Sequence, residues 1–409
     1  MTLKEELEIL RGEPIQVFEG DPMDVPCIET SDPEKLCKHP VVSVHMITYN
    51  HEPYIRQAIE GVMMQKTDFE FELIIGEDCS QDKTREICFE YQKKYPDKIR
   101  VLWWHENVSK LGGNGRRVRA HSRGEFIALC EGDDYWIDPL KLQKQVDVMR
   151  THPNVGLCFT NAQDLIQSTG TFKTSYEHDA VPSGIIPGKV FLFLNIFSRS
   201  ATAMLGLESY LRTASVLYRQ EYFRMAKAAQ DILFWRLRLG DVPLWLSLAT
   251  CSDIYSLPDV TTVYRQHGGG ACATLGSRLW RDNLLVRFYF ARKFFINNYR
   301  DLPPNLKEDW SVTNDRIAIG LGLRGIISYC VRSNFTRLHK EAALWRKLSS
   351  KTVALYKEYS QLSPLITFST NRYEQKRQYC FFCEVIRAFF PDKIRKLYRK
   401  IAKHGEFSN

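Results

Sequence analysis

The sequence has no run of about 18 consecutive apolar residues, so no membrane-spanning helix is expected. Its N-terminus, MTLKEELEIL, lacks the basic and apolar regions of a signal peptide, and we therefore expect a cytoplasmic protein. The eleven cysteines are an odd number without framework spacing, which argues against a full set of disulfides. The lone C-x-x-C of Cys380 and Cys383 has no second ligand pair at zinc-site spacing, so ordinary thiols are favoured over a metal site.

Two common phosphate-binding motifs are also missing, because neither G-x-x-x-x-G-K-[ST] nor G-x-G-x-x-G follows a predicted strand. The glycine-rich stretch Leu111–Gly115 precedes a basic helix, and an ordinary loop explains it equally well. Without a phosphate loop, a metal would be the main neutraliser of a bound diphosphate. This favours chemistry in which a nucleoside diphosphate departs.

The composition is that of a folded protein, with 44% hydrophobic and 25% charged residues among 409. This length fits one large domain with an appendage. The net charge of +8 is uneven, because residues 1–38 carry ten acidic and four basic side chains. The basic remainder suits anionic partners such as nucleotide phosphates, acidic glycans or phospholipid headgroups. The basic residues are not gathered with aromatics over a sheet face, so no nucleic-acid partner is predicted.

Strands and helices alternate from Val41 onward, which predicts an α/β fold with a mostly parallel sheet flanked by helices. The predicted strands are 41–48, 71–76, 99–104, 125–130, 155–162, 214–219 and 259–267. The predicted helices are 50–65, 82–95, a basic helix after Gly115, 188–197 and 241–249. Helical periodicity replaces the strands after the glycines 268–270. We therefore place an acidic helix and linker at 1–38, a catalytic domain at 39–272 and a helical C-terminal region at 273–409.

Acidic and polar residues follow three of the predicted strands. These are Thr48-Tyr49-Asn50, Glu77-Asp78 and Glu131-Gly132-Asp133-Asp134. Ligands of an open parallel sheet bind beyond the carboxyl ends of its strands. Five carboxylates along one rim repel one another, and a divalent metal that bridges phosphate oxygens is the usual compensation. Helix caps and solvated turns are the simpler interpretation of any one of these groups, but three strand ends together favour a site.

Three segments contain these strand ends: VSVHMITYNHEPYIRQAIEGVMMQ, IIGEDCSQDKT and GEFIALCEGDDYW, and they are followed by GDVPLWLSLA and VTTVYRQHGGG. In this order and at this spacing, the segments resemble those of family 2 glycosyltransferases of the GT-A fold. The resemblance covers about residues 40–272, and it is to enzymes of the bacterial envelope or capsular polysaccharide type. It implies an inverting transfer of sugar from a nucleoside-diphosphate sugar to an acceptor hydroxyl, on a glycan or lipid-linked glycan.

The resemblance also implies site residues. Donor binding would fall to Thr48, Asn50, Glu77, Asp78, Asn114, Glu131 and Asp134. Asp133 and His267 would hold Mg²⁺ or Mn²⁺, and Asp241 would be the general base. Glutamate replaces the family's usual first aspartate in both acidic elements, which leaves open which carboxylate touches the nucleotide. Helix capping by Asp241 and an ordinary loop position for His267 stay open as alternatives.

The C-terminal residues 372–409 carry ten basic and four acidic side chains. Ile394, Leu397, Tyr398 and Ile401 repeat at helical spacing, which suits a helix on an anionic membrane surface or one packed on its own domain. We therefore expect a cytoplasmic protein, and the first interpretation of this helix places it peripherally at the inner face of the cytoplasmic membrane. Two other functions compete with sugar transfer: a sugar-nucleotide nucleotidyltransferase and a non-catalytic nucleotide-sugar binding protein. The second would be favoured if Asp241 lay far from Asp133.

Overall fold

The structure, a computed structural model, describes residues 22–109, 113–174, 183–188, 191–192, 211–226 and 241–270. The predicted N-terminal helix, most of the helix at 188–197, the Cys380–Cys383 pair and the helical region at 273–409 lie outside the described residues. In the ranges that are described, no helix has the length and apolar character needed to cross a membrane.

One mixed sheet and its flanking helices account for most of the described residues. The strands are β1 (Ile28–Thr30), β2 (Val42–Thr48), β3 (Phe71–Glu77), β4 (Ile99–Trp103), β5 (Phe126–Leu129), β6 (Tyr135–Trp136), β7 (Val155–Ile166), β8 (Thr171–Thr174), β9 (Gly184–Ile186), β10 (Val216–Arg219) and β11 (Asp253–Gln266). The helices are α1 (Ile55–Met63), α2 (Thr84–Lys94), α3 (Gly113–Ala120), α4 (Lys141–Thr151), α5 (Gln220–Met225) and α6 (Asp241–Ala249).

Four neighbouring strands form the parallel part of the sheet, in the order β4-β3-β2-β5. Every residue of β3 is buried, and β2 is buried at all but one position. Strands covered on both faces read as continuous apolar runs, which is why the sequence revealed them. The predicted α/β class is confirmed in this half.

Beyond β5 the pairing changes, and the sheet continues as β5-β10-β7-β11-β6. β10 runs antiparallel to both β5 and β7, whereas β11 is parallel to β7. β11 begins at Asp253, earlier than predicted, and has bulges between Leu257 and Thr262 that break its regular pattern. The sheet as a whole is therefore mixed, with a parallel first half.

A strand lies within the segment expected to be a linker. β1 pairs antiparallel with β4 and extends the sheet at that edge. Glu29 on β1 accepts two hydrogen bonds from the Arg100 guanidinium, at 2.8 and 2.9 Å. The Trp103 indole donates to Thr30 Oγ1 at 3.1 Å. Three residues are too few to show an alternating pattern, and the contacts that hold the strand come from distant segments, so local sequence does not predict it.

Two helices begin later than their sequence pattern predicts. Asn50, predicted to open a helix, has a positive φ of 55°, and α1 begins only at Ile55. α2 begins at Thr84 and not near Asp82, because the Asp82 carboxylate accepts the Thr84 N–H at 3.0 Å. That contact closes an Asx-type turn from Asp82 to Thr84, directly before the helix. The buried helix predicted at 241–249 is confirmed as α6.

A lysine lies fully inside the core at the start of α4. The Lys141 ammonium donates to Gln145 Oε1 at 2.6 Å and sits 4.3 Å from the centre of the Trp136 ring. Burial lowers the pKa of Lys141 to about 7, although nearby Cys130 and Cys158 act in the opposite direction. Desolvation disfavours the charged form and therefore dominates here.

The free energy of unfolding should consequently depend on pH through Lys141. Between about pH 7 and 10.5 the unfolded chain binds one proton more at this residue than the folded chain, so stability rises with pH. The rise contributed by Lys141 is about 1.4 kcal/mol per pH unit near pH 8–9. We expect Lys141→Met to remove it in urea unfolding at several pH values, and the exposed control Lys93→Met to retain it. An unchanged slope in Lys141→Met would contradict this assignment.

Candidate active site

The carboxyl ends of β2, β3 and β5 meet at one edge of the sheet, as predicted. Thr48 is in register with Glu77, and the Asp78 N–H donates to the Thr48 carbonyl at 3.0 Å. The Gly132 N–H donates to the Ile47 carbonyl at 3.0 Å. These backbone bonds fix the three acidic segments side by side.

The first acidic pair is buried beneath this edge. Glu77 accepts the Ser80 N–H at 2.7 Å and pairs with Arg85. Asp78 accepts the backbone N–H groups of Val108 and Ser109 at 2.8 and 2.9 Å. All four carboxylate oxygens thus hold neighbouring segments in place. Direct contact of Glu77 and Asp78 with a nucleotide-sugar donor stays a prediction. In the structure, the two side chains hold the loops at this edge of the sheet.

The predicted polar contacts differ in how open they are. The Asn50 side chain is exposed, and its Oδ1 accepts the Gln81 N–H at 2.8 Å. Asn114 is buried and donates to the Gly76 carbonyl at 2.9 Å. Thr48 is also buried, and no residue that the structure describes hydrogen-bonds its Oγ1. The Asn50 side chain is therefore open to solvent at this edge, whereas those of Thr48 and Asn114 are buried there.

Three carboxylates, those of Glu131, Asp133 and Asp134, form the second acidic group. Burial raises the pKa of Glu131 to about 8, helped by the charges of Asp133 and Asp241. Burial also raises the pKa of Asp134 well above its usual range, together with Asp133 and Glu131. Within the described part of the chain, no hydrogen-bond partner reaches Glu131 Oε2. Such a concentration of buried negative charge calls for a positive partner.

Asp241 reaches this group from the far half of the domain. It is the first residue of α6, and its Oδ1 accepts the Val242 N–H at 2.7 Å. Burial raises the pKa of Asp241, and its charge in turn raises that of Glu131. Asp241 is therefore close enough to Glu131 for their charges to interact, and its role as the general base stays a prediction. A carboxylate whose pKa is raised towards neutrality suits a general base.

Two histidines face the same oxygen of Asp133. His267 Nε2 lies 3.0 Å from Asp133 Oδ2, and His51 Nε2 lies 3.7 Å from it. The Tyr54 ring packs against His267 with centroids 4.8 Å apart. The predicted pairing of Asp133 with His267 is thus present in the structure. His51 was not predicted, although it directly follows Asn50 in the sequence.

Arg265 holds the acidic segment in position. Its backbone N–H donates to Asp134 Oδ1 at 2.8 Å, and its Nε donates to the Asp133 carbonyl at 2.7 Å. The other guanidinium nitrogens donate to the side-chain oxygens of Gln167 at 3.0 Å and Gln57 at 2.7 Å. The side chain is buried and each of its three guanidinium nitrogens makes a hydrogen bond, so Arg265 holds the acidic segment in place.

Replacement of Arg265 by lysine should destabilise the protein. A lysine ammonium cannot reach three separate acceptors as a planar guanidinium does, so buried acceptors lose their donors. We expect Arg265→Lys to lower the free energy of unfolding by about 1–3 kcal/mol in urea titrations. The exposed pair of Arg150 and Asp68 offers the control, because Arg150→Lys should change stability by less than about 0.5 kcal/mol. Equal stabilities of Arg265→Lys and wild type would contradict the role of Arg265.

A metal ion at this site would need water or substrate phosphate oxygens to complete its coordination. Among the described residues, no group of three or more His, Cys, Asp or Glu side chains is arranged to hold a metal ion. Magnesium-like cations often take one or two carboxylates and complete their shell with water and phosphate oxygens. Glu131 Oε2 has no partner among the described residues, and the pKa values of Glu131 and Asp134 are raised. A bound cation would stabilise the charged form of both carboxylates. Asp133 and His267 therefore fit as the protein's share of a joint metal–diphosphate site.

Comparisons with known proteins identify a sequence family for part of this chain. Residues 43–212 match the sequence family "Glycosyl transferase family 2". The uncharacterized protein Rv1520 of Mycobacterium tuberculosis is 34% identical over 229 residues, which are 56% of this chain. The matching segment spans 60% of that relative's length. The putative teichuronic acid biosynthesis glycosyltransferase TuaG of Bacillus subtilis is 33% identical over 110 residues, or 27% of this chain and 42% of the relative.

A solved structure shows a looser likeness. The structure of S. aureus TarS 1-349 in complex with UDP-GlcNAc is 14% identical and gives a TM-score of 0.47, with 82% of this chain and 91% of that chain covered. A score at that level carries no conclusion about ligands. The sequence family, in contrast, covers residues 43–212, from the second residue of β2 onward, and this range includes the three acidic strand ends. The chain therefore contains a glycosyl transferase family 2 domain, as its sequence predicts.

Proposed function

We propose that this domain transfers a sugar from a nucleoside-diphosphate sugar to an acceptor hydroxyl, with inversion at the anomeric carbon. One observation carries the proposal: Asp241, which lies over 100 residues after Asp133 in the sequence, is close enough to Glu131 for their charges to interact. A family 2 domain supplies the chemical class. The proximity of a candidate base to a candidate diphosphate site is what direct displacement requires.

Asp241 would act on the acceptor. Its carboxylate takes the proton of the acceptor hydroxyl as that oxygen bonds to the anomeric carbon. The bond from this carbon to the diphosphate oxygen breaks, and the nucleoside diphosphate leaves with the electron pair. The raised pKa of Asp241 makes the carboxylate a better proton acceptor than an exposed aspartate.

Asp133 and His267 would hold the divalent cation, Mg²⁺ or Mn²⁺, against the diphosphate. When bound, the cation supplies positive charge that stabilises the leaving group. Arg265 keeps Asp133 in place through its backbone carbonyl, and Thr48 and Asn50 would contact the nucleotide from the end of β2. Glu131 and Asp134 would complete the donor side of the site.

The acceptor is proposed from the relatives. One is named a putative teichuronic acid biosynthesis glycosyltransferase and another a dTDP-rhamnosyl transferase, RfbG of Shigella flexneri, which is 30% identical over 110 residues. We infer a glycan or lipid-linked glycan acceptor of the envelope polysaccharide type. Contact between the basic C-terminal helix and the inner membrane surface would suit such an acceptor and stays a prediction.

The reaction class can be tested with a panel of UDP-, GDP- and dTDP-sugars, each incubated with and without Mn²⁺. We expect slow, Mn²⁺-dependent release of one nucleoside diphosphate, because water substitutes for the missing acceptor. Formation of a sugar nucleotide from a nucleoside triphosphate and a sugar phosphate would favour the nucleotidyltransferase instead. Failure of the folded protein to bind any member of the panel would overturn the proposed function.

A further inference from the structure

His51 is held firmly at the rim of the acidic site. Its backbone N–H donates to Thr84 Oγ1 at 2.8 Å, and its carbonyl accepts the N–H groups of Tyr54 and Ile55, both at 2.8 Å. These bonds join the end of β2, the start of α1 and the start of α2. The imidazole is consequently placed by three elements and is not part of a free loop.

The two ring nitrogens of His51 have different surroundings. Nδ1 is buried against Gly132, and no residue that the structure describes hydrogen-bonds to it. Nε2 faces Asp133 Oδ2 at 3.7 Å. A buried N–H without an acceptor is costly, whereas an N–H directed at a carboxylate is favoured electrostatically. In the tautomer that fits these surroundings, the ring hydrogen lies on Nε2.

His51 Nε2 does not form a hydrogen bond with Asp133. A separation of 3.7 Å is too long for a hydrogen bond, whereas His267 Nε2 bonds to the same oxygen at 3.0 Å. The two histidines thus have different tasks. His267 is engaged with Asp133, and His51 presents a donor beside the carboxylate where the diphosphate is expected.

We propose that the His51 Nε2–H group donates a hydrogen bond to a phosphate oxygen of the departing nucleoside diphosphate. This proposal rests on the proposed function and adds a donor-binding residue to it. A packing role for the ring is the competing explanation, because Gly132 leaves just enough room for Nδ1 and for Thr48 Oγ1. The two explanations place the important atom at opposite sides of the ring.

Side-chain amides can separate these explanations. The amide nitrogen of glutamine overlays Nε2 of histidine, whereas that of asparagine overlays Nδ1. Binding of UDP, GDP and dTDP in the presence of Mn²⁺ would be measured by calorimetry for wild type, His51→Gln, His51→Asn and His51→Ala. We expect His51→Ala and His51→Asn to raise the dissociation constant of the bound nucleotide by about 10- to 100-fold. His51→Gln should stay within about threefold of wild type.

His152→Gln is the matched control, because His152 packs on Tyr255 at the end of α4 and lies outside the acidic site. Thermal melts would establish that each variant is folded. Wild-type affinity in His51→Ala or His51→Asn would overturn the role of His51 while the proposed function stands. Equal losses in His51→Gln and His51→Ala would overturn it in favour of packing. Absence of binding by wild type would instead overturn the proposed function itself.

Discussion

Replacement of Asp241 by asparagine should lower kcat by about 10²- to 10⁴-fold and leave donor binding nearly unchanged. Asparagine has the size and shape of aspartate but cannot take the proton of an acceptor hydroxyl. Its side-chain oxygen can still accept the Val242 N–H, so the start of α6 is preserved. The measurement is the rate of transfer, or of slow donor hydrolysis, at saturating nucleotide sugar, compared with the dissociation constant of the donor.

The same variant tests the alternative role of Asp241 as a helix cap. Asparagine caps helices about as well as aspartate, so a capping residue predicts no change of rate. Asp253→Asn is a suitable control, since Asp253 accepts the Gly188 N–H at 2.9 Å and lies at the start of β11. Wild-type turnover by Asp241→Asn would remove Asp241 from the mechanism and leave only its capping role.

Replacement of Gly132 by alanine should reduce kcat/KM by about 100-fold. A Cβ at this position would lie 2.6 Å from Thr48 Oγ1 and 3.0 Å from His51 Nδ1, so the acidic segment must move away from β2. Overpacking of this kind costs about 1–3 kcal/mol, and a displacement of about 1 Å at reacting groups can cost 100-fold in rate. Steady-state kinetics and urea unfolding would measure the two effects.

Gly115→Ala provides the control for Gly132→Ala. Nothing lies within 4 Å of a Cβ at Gly115, which is inside α3. Alanine there should leave the rate unchanged and stabilise the helix by about 0.5–1 kcal/mol. Normal kinetics of Gly132→Ala would show that the close approach of the acidic segment to Thr48 and His51 has no functional importance.

Sequence patterns predicted the parallel half of the fold because each strand there is buried on both faces. The register of β2 and β3 then brought Thr48 beside Glu77, as the rule for strand ends requires. The antiparallel insertion of β10 between β5 and β7 could not be predicted, since it depends on pairing between distant segments. Local sequence carries no signal for such a pairing.

Sequence patterns identify the carboxylates of the site but not the residues that hold them in place. Arg265 bonds to Gln57, which lies 208 positions earlier, and nothing near either residue indicates the contact. Glu77 and Asp78 were identified as an acidic pair, but the structure shows their oxygens held by Ser80, Arg85 and the backbone of 108–109. The sequence alone does not distinguish an acidic residue that faces a ligand from one that holds a loop in place.

The most direct test of the account is a Mn²⁺ titration of nucleoside-diphosphate binding by wild type and by Asp133→Asn. Calorimetry with UDP, GDP and dTDP would first identify the nucleotide that wild type binds. We expect Mn²⁺ to strengthen this binding by about tenfold or more in wild type and to have little effect in Asp133→Asn, whose side chain carries no charge. Binding that is equally strong in both proteins, or that ignores Mn²⁺ in wild type, would contradict a metal–diphosphate site at Asp133.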